Sequence, residues 1–76
     1  MRQALAAIER APGADPALRA RAHNYIGFSD NDHGRLDEAR THLHEAIAYY
    51  ASEPERWRRE LIASRTGLAR NASLRG

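Results

Sequence analysis

The sequence contains no cysteine, which excludes a disulfide framework and any thiolate metal centre. It contains no lysine either, so all twelve basic residues are arginine. Arginine stays charged and presents a rigid fork of donors, which suits ion pairs and oxyanion contacts. No run of about 18 or more apolar residues occurs, so no transmembrane helix is expected. The start, Met1 to Arg10, is too briefly apolar and too soon charged to read as a signal peptide, and a cytoplasmic chain is the expectation. No segment shows the apolar–polar alternation of a strand. No phosphate-cradling glycine loop and no nucleophile elbow is present. What remains is helix-forming sequence long enough for one small domain, residues 1–76, with a core that is marginal without partners.

Charge is distributed unevenly. Residues 1–29 hold four arginines and two acids, a net +2; residues 30–55 hold two arginines and seven acids, a net −5; residues 56–76 hold six arginines and one acid, a net +5. An acidic middle followed by a basic end implies attraction between neighbouring helices, or a basic face for an acidic ligand. The overall net charge of +2 gives no ground by itself for nucleic-acid binding.

Helix signals recur along the chain. Alanines around Leu5 and Ile8 predict a short helix over 1–10, broken by Pro12-Gly13. Asp15-Pro16 is a helix start, with Asp15 able to accept from exposed N–H groups and Pro16 at a position that needs no donor. Leu18, Ala22, Tyr25, Ile26 and Ser29 then mark one face of a helix running to about Asp30, and Asn31–Gly34 reads as the turn that ends it. Leu36, Ala39, Leu43, Ala46, Ile47 and Tyr50 form the most regular stripe in the sequence. Ser52 and Glu55 have the spacing of a capping box for a fourth helix, about Glu53 to Asn71, and Glu55 with Arg59 is a favourable pair four apart. Trp57, Leu61, Ser64, Leu68 and Ala72 mark its inner face. The expectation is an all-α fold with short connections.

Chemistry-bearing patterns are weak. His42 and His44 point to different faces, His23 and His33 lie on separate elements, and no His-Glu-x-x-His spacing occurs. The histidines read as surface residues, and neither a metal nor another cofactor is expected. Asp30 to Gly34 begins like a calcium loop, but its glycine falls a residue early and Thr41 stands where glutamate is needed. Asn71-Ala72-Ser73 fits the glycosylation sequon. Helical hairpins of this size rarely enclose a secluded pocket, so no catalysis is expected.

Ile26-Gly27, Gly34, Leu36, Ala39, Leu43 and Ala46 together resemble the tetratricopeptide repeat. Thr66-Gly67 mirrors Ile26-Gly27 at a separation of 67 − 27 = 40 residues, similar to the longer variant of the family found in bacterial regulators. The resemblance implies a right-handed α-solenoid fragment of about four helices in antiparallel hairpins. Residues 1–11 would be the second helix of a partial repeat, 15–51 a full repeat, and 53–76 the first helix of a further partial repeat. Gly27, Ala39 and Ala46 would be close-contact points between the paired helices. The chain departs from the pattern at His23 and Asp30, where the family has aromatics, and at Ala51, where it has proline. Leu74 stands in place of the second glycine of the last segment.

The resemblance further implies a protein-interaction module without catalysis, binding a peptide or partner protein in a groove lined by the first helices of successive repeats. It places Arg21, Asn24, Phe28 and Asn31 on that face, with Leu61, Ser64, Arg65 and Leu68 on the equivalent face of the last helix. Arginines, asparagines and an apolar patch suit an extended acidic or amidic peptide. The family's carboxylate clamp is not reproduced, because Tyr25 stands where asparagine is wanted and Leu61 where lysine is. One full hairpin and two halves are few for a stable array, which implies adjoining repeats or self-association. The alternative reading is a nucleic-acid-associated, transcription-regulatory module acting through Arg56, Arg58, Arg59, Arg65, Arg70 and Arg75. Those arginines are spread around their helix rather than gathered on one side.

Overall fold

The computed structural model describes residues 15–76, so the helix expected over 1–10 lies outside the described residues. Three helices follow in order, α1 (Pro16–Asp32), α2 (Leu36–Tyr50) and α3 (Arg58–Arg75), and among the described residues there is no strand. None of these helices is long and apolar enough to cross a membrane.

The first helix starts as its sequence dictates. Asp15 has extended backbone geometry and its carboxylate accepts from the Ala17 N–H at 2.9 Å, with Pro16 at the first helical position. The helix runs two residues past the expected end, to Asp32, so that Asn31 is helical rather than part of the turn. Gly34 makes the reversal at φ +77°, a left-handed conformation that strains any residue with a Cβ. An ion pair clasps the same corner: Arg35 Nε donates to Asp30 Oδ1 at 2.8 Å, and the Asp30 side chain is only 1% exposed.

The connection into α3 differs from the expectation. Residues 51–57 form successive turns rather than a helix. Ser52 does not cap: its hydroxyl donates back to the Tyr49 carbonyl at 2.6 Å. Without helical spacing there, no ion pair joins Glu55 to Arg59; the pair that forms is Arg56 with Glu53 at 3.3 Å. Trp57 explains the delay. Its ring lies 5.6 Å from that of Tyr50 and 5.7 Å from that of Tyr49, centroid to centroid, and burying three rings at this corner outweighs a single cap.

Cross-helix contacts fix the topology. Gly27 meets Leu43, while Ala20 shares a cluster with Ala46, Tyr50 and Leu61; α1 and α2 are therefore antiparallel. Leu61 near Tyr50 and Asn71 bonded to the Leu36 carbonyl make α3 antiparallel to α2. Asn24 pairs with Ser64 and Asn31 with Asn71, both 40 residues apart. A constant offset means that α1 and α3 run parallel, in the register that the two glycines also show.

The core is small and centred on α2. Ala39, Leu43 and Ala46 are each 0% exposed. Leu43 fits a notch made by two glycines: a Cβ on Gly27 would lie 2.6 Å from Leu43 Cγ, and one on Gly67 would lie 3.1 and 3.2 Å from its two methyls. The inner face of α1 departs from the expected stripe. Leu18 and Tyr25 are exposed, at 49% and 56%, while Ala20, Ala22, His23, Ile26, Gly27, Asp30 and Asn31 face inward. On α3 the buried residues are Leu61, Ser64, Gly67 and Asn71, with Leu68 half-buried and Ala72 exposed.

Candidate functional site

A polar seam joins α1 to α3. The Ser64 hydroxyl lies 2.7 Å from Asn24 Oδ1 and 3.0 Å from the Glu60 carbonyl. One hydroxyl proton cannot serve both at full strength; turning the Asn24 amide over lets it donate to Ser64 while Ser64 donates to Glu60. Further along, Asn31 Nδ2 donates to the Gly67 carbonyl at 3.1 Å, and Asn71 Nδ2 donates to Asn31 Oδ1 and to the Leu36 carbonyl, both at 2.8 Å. Among the described residues no buried side-chain nitrogen or oxygen lacks a partner, as a stable polar seam requires.

Beside this seam runs a groove of about 300 Å³, lined by Arg21, Asn24, Tyr25 and Phe28 from α1, Tyr50 from α2, and Arg59, Glu60 and Ala63 from α3. Positions 21, 24, 25 and 28 recur at helical spacing and share one face of α1. The parallel register orders the contents. Arg21, Arg59, Glu60 and Tyr50 gather at one end, while Phe28 lies at the other, its ring edge against Gly67. Tyr50 is 2% exposed, and burial raises its hydroxyl above the ordinary value of 10.0; the Glu60 carboxylate pushes the same way and the Arg21 guanidinium opposes it. Arg21 and Arg59 make no ion pair or hydrogen bond among the described residues, and the Glu60 carboxylate makes none either.

The eight residues that the resemblance singles out divide here, and Leu61, 5% exposed, is part of the core beside Ala46 and Tyr50. Arg21, Asn24 and Phe28 line the groove together. Asn31, 4% exposed, and Ser64, 0% exposed, have their hydrogen bonds within the seam and face the interior. Leu68 lies in a separate hollow with Arg40, Asn71, Ala72 and Arg75, and Arg65 is exposed and lines neither hollow. Tyr25, Tyr50, Arg59, Glu60 and Ala63 complete the groove without having been singled out. The spacing of Arg59, Glu60 and Ala63, three and four apart on the flank beside Ser64, is the signal that would have found them.

The histidines also divide. His23 is 9% exposed rather than on the surface, and its Nδ1 lies 2.9 Å from Nδ1 of His42. One ring must donate and the other accept, so at most one of the two Nδ1 atoms carries a proton. Among the described residues no group of three or more histidines and carboxylates is placed to hold a metal ion. The sequon asparagine, Asn71, is 2% exposed and bonded twice, which closes it to modification in the folded chain.

The basic residues of α3 are partly engaged. Arg70 pairs with Asp32 at 3.0 Å and Arg75 with Asp37 at 3.7 Å, and Arg56 lies 4.9 Å over the Trp57 ring centre. No protein-family model, curated protein or solved structure matches this chain.

Proposed function

We propose that this chain is a protein-interaction module without catalysis of its own, receiving an extended peptide segment of a partner in the groove between α1 and α3. The observation that carries this reading is the pairing of two uncommitted guanidiniums, Arg21 and Arg59, with Tyr25 and Phe28 in the same groove. Arginine and aromatic side chains are the usual anchors of protein interfaces, and a guanidinium binds a carboxylate through two parallel hydrogen bonds. The likeness of Ile26–Ala46 to a tetratricopeptide repeat supports the reading, as does the 40-residue offset that relates α1 to α3.

The nucleic-acid reading is weaker on specific grounds. Of its six arginines, Arg56, Arg70 and Arg75 already have acidic partners within the chain. Arg59 faces the groove rather than a common basic surface.

The test is a peptide array of varied charge, probed with the wild-type chain and with the double variant Arg21→Gln, Arg59→Gln. Selective binding that disappears in the variant while helicity stays unchanged is the expected outcome. Binding of equal strength by both proteins would remove the groove from consideration. A duplex DNA titration at low salt checks the rival: affinity that falls steeply with added salt would favour it.

A further inference from the structure

The groove is not uniformly basic, and its acid narrows what it can hold. Glu60 lies at the charged end, where burial and, after it, the Glu60 carboxylate raise the Tyr50 hydroxyl, while Arg21 opposes them from across the groove. The residue is half-buried, and its carboxylate has no ion-pair or hydrogen-bond partner among the described residues. The Ser64 hydroxyl meets the Glu60 carbonyl, not its side chain. An exposed glutamate would be satisfied by water. A ligand lying in this groove removes that water, and a carboxylate left unpaired under it weakens binding strongly. A second carboxylate brought beside it adds repulsion.

From this charge arrangement, and resting on the interaction reading above, we infer that the groove is built for a peptide segment carrying an acidic and a basic residue side by side, Asp or Glu next to Lys or Arg, rather than a run of acids. The acid meets the guanidiniums of Arg21 and Arg59, and the base meets Glu60. Spacing adds an apolar residue. Arg21 and Phe28 are seven positions apart on α1, about 10 Å at 1.5 Å per residue. An extended peptide covers that in about three residues. The segment is therefore an acid–base pair followed, about three positions away, by a side chain that packs on Tyr25, Phe28 and Ala63.

Synthetic peptides of one length and one apolar anchor test this directly. The charged pair is varied as Asp-Lys, Asp-Asp, Lys-Lys and Ala-Ala, and binding to the full chain is followed by fluorescence anisotropy. The Asp-Lys peptide is expected to bind about tenfold tighter than Asp-Asp, and Glu60→Gln to erase or invert that preference while leaving helicity unchanged. The conservative variant Glu60→Asp should keep part of it. If Asp-Asp binds tighter than Asp-Lys and still depends on Arg21, the groove stands and the paired-charge inference falls. If no peptide binds, or if binding is indifferent to both Arg21→Gln and Phe28→Ala, the inference and the groove reading fall together.

Discussion

Leu43 sits where the three described helices meet, and the two glycines that face it do different work. At Gly27 an added Cβ would strike Leu43 Cγ at 2.6 Å, an atom near the root of a side chain that is 0% exposed. Overpacking of that kind costs about 1–3 kcal/mol, against about 1 kcal/mol gained by replacing glycine within a helix. Gly27→Ala is therefore expected to destabilise the chain by up to about 2 kcal/mol in denaturant unfolding. Leu43→Ala should cost less in that variant than in the wild type, since the clash goes with the side chain. At Gly67 the nearest atom is Phe28 Cε1 at 2.7 Å, the edge of a half-buried ring beside the groove. Gly67→Ala should come out closer to neutral in stability. Tyr50 makes a different prediction. Its folded-state pKa is above the unfolded 10.0, so the stability this phenol contributes is fully present below pH 10 and is lost as pH rises through the folded value. Tyr50→Phe should flatten the alkaline fall in stability. In a tyrosinate absorbance titration, Glu60→Gln should move the Tyr50 step down and Arg21→Gln should move it up.

At the scale of the helices, what was legible depended on how each one is buried. The inner face of α2 is large and apolar, and Leu36, Ala39, Leu43, Ala46 and Tyr50 could be read directly from their spacing. Apart from Ile26, the inner face of α1 is made of alanine, glycine, histidine, aspartate and asparagine. Hydrophobic periodicity cannot see such a face, which is why Leu18 and Tyr25 were expected inside. Arg21, Asn24 and Phe28 were legible as one face of α1. Their partners on α3 were not, because contact with the polar seam rather than apolarity orients that helix. Asn71 shows the seam's importance: removing its amide takes a donor from both Asn31 Oδ1 and the Leu36 carbonyl. Asn71→Ala is expected to lower the unfolding free energy by about 1–3 kcal/mol. Ser73→Ala, on the exposed end of α3, should leave it within about 0.5 kcal/mol.

For the molecule as a whole, the charge segregation seen along the sequence becomes an internal arrangement. Arg70 and Arg75 of the basic end reach Asp32 and Asp37 of the acidic middle. Both contacts are exposed, so each contributes about 0–1 kcal/mol and weakens with salt. They orient α3 on the hairpin more than they hold it there. The Cα atoms span 39 × 30 × 13 Å, a flattened shape. Such a shape leaves broad faces, and Leu18, Tyr25, Ile62 and Leu74 are 48–58% exposed on the described surface.

The constant offset between α1 and α3 has a geometric consequence. Because Asn24 meets Ser64 and Asn31 meets Asn71 at the same separation of 40 residues, α1 and α3 lie side by side, parallel and in one register. A chain in which residues 27–66 are duplicated in tandem is expected to fold into a longer rod of the same cross-section. Small-angle scattering checks this, since the maximum dimension should grow while the cross-sectional radius stays constant. Growth in both would mean that the two parallel helices share a register but do not define a lattice.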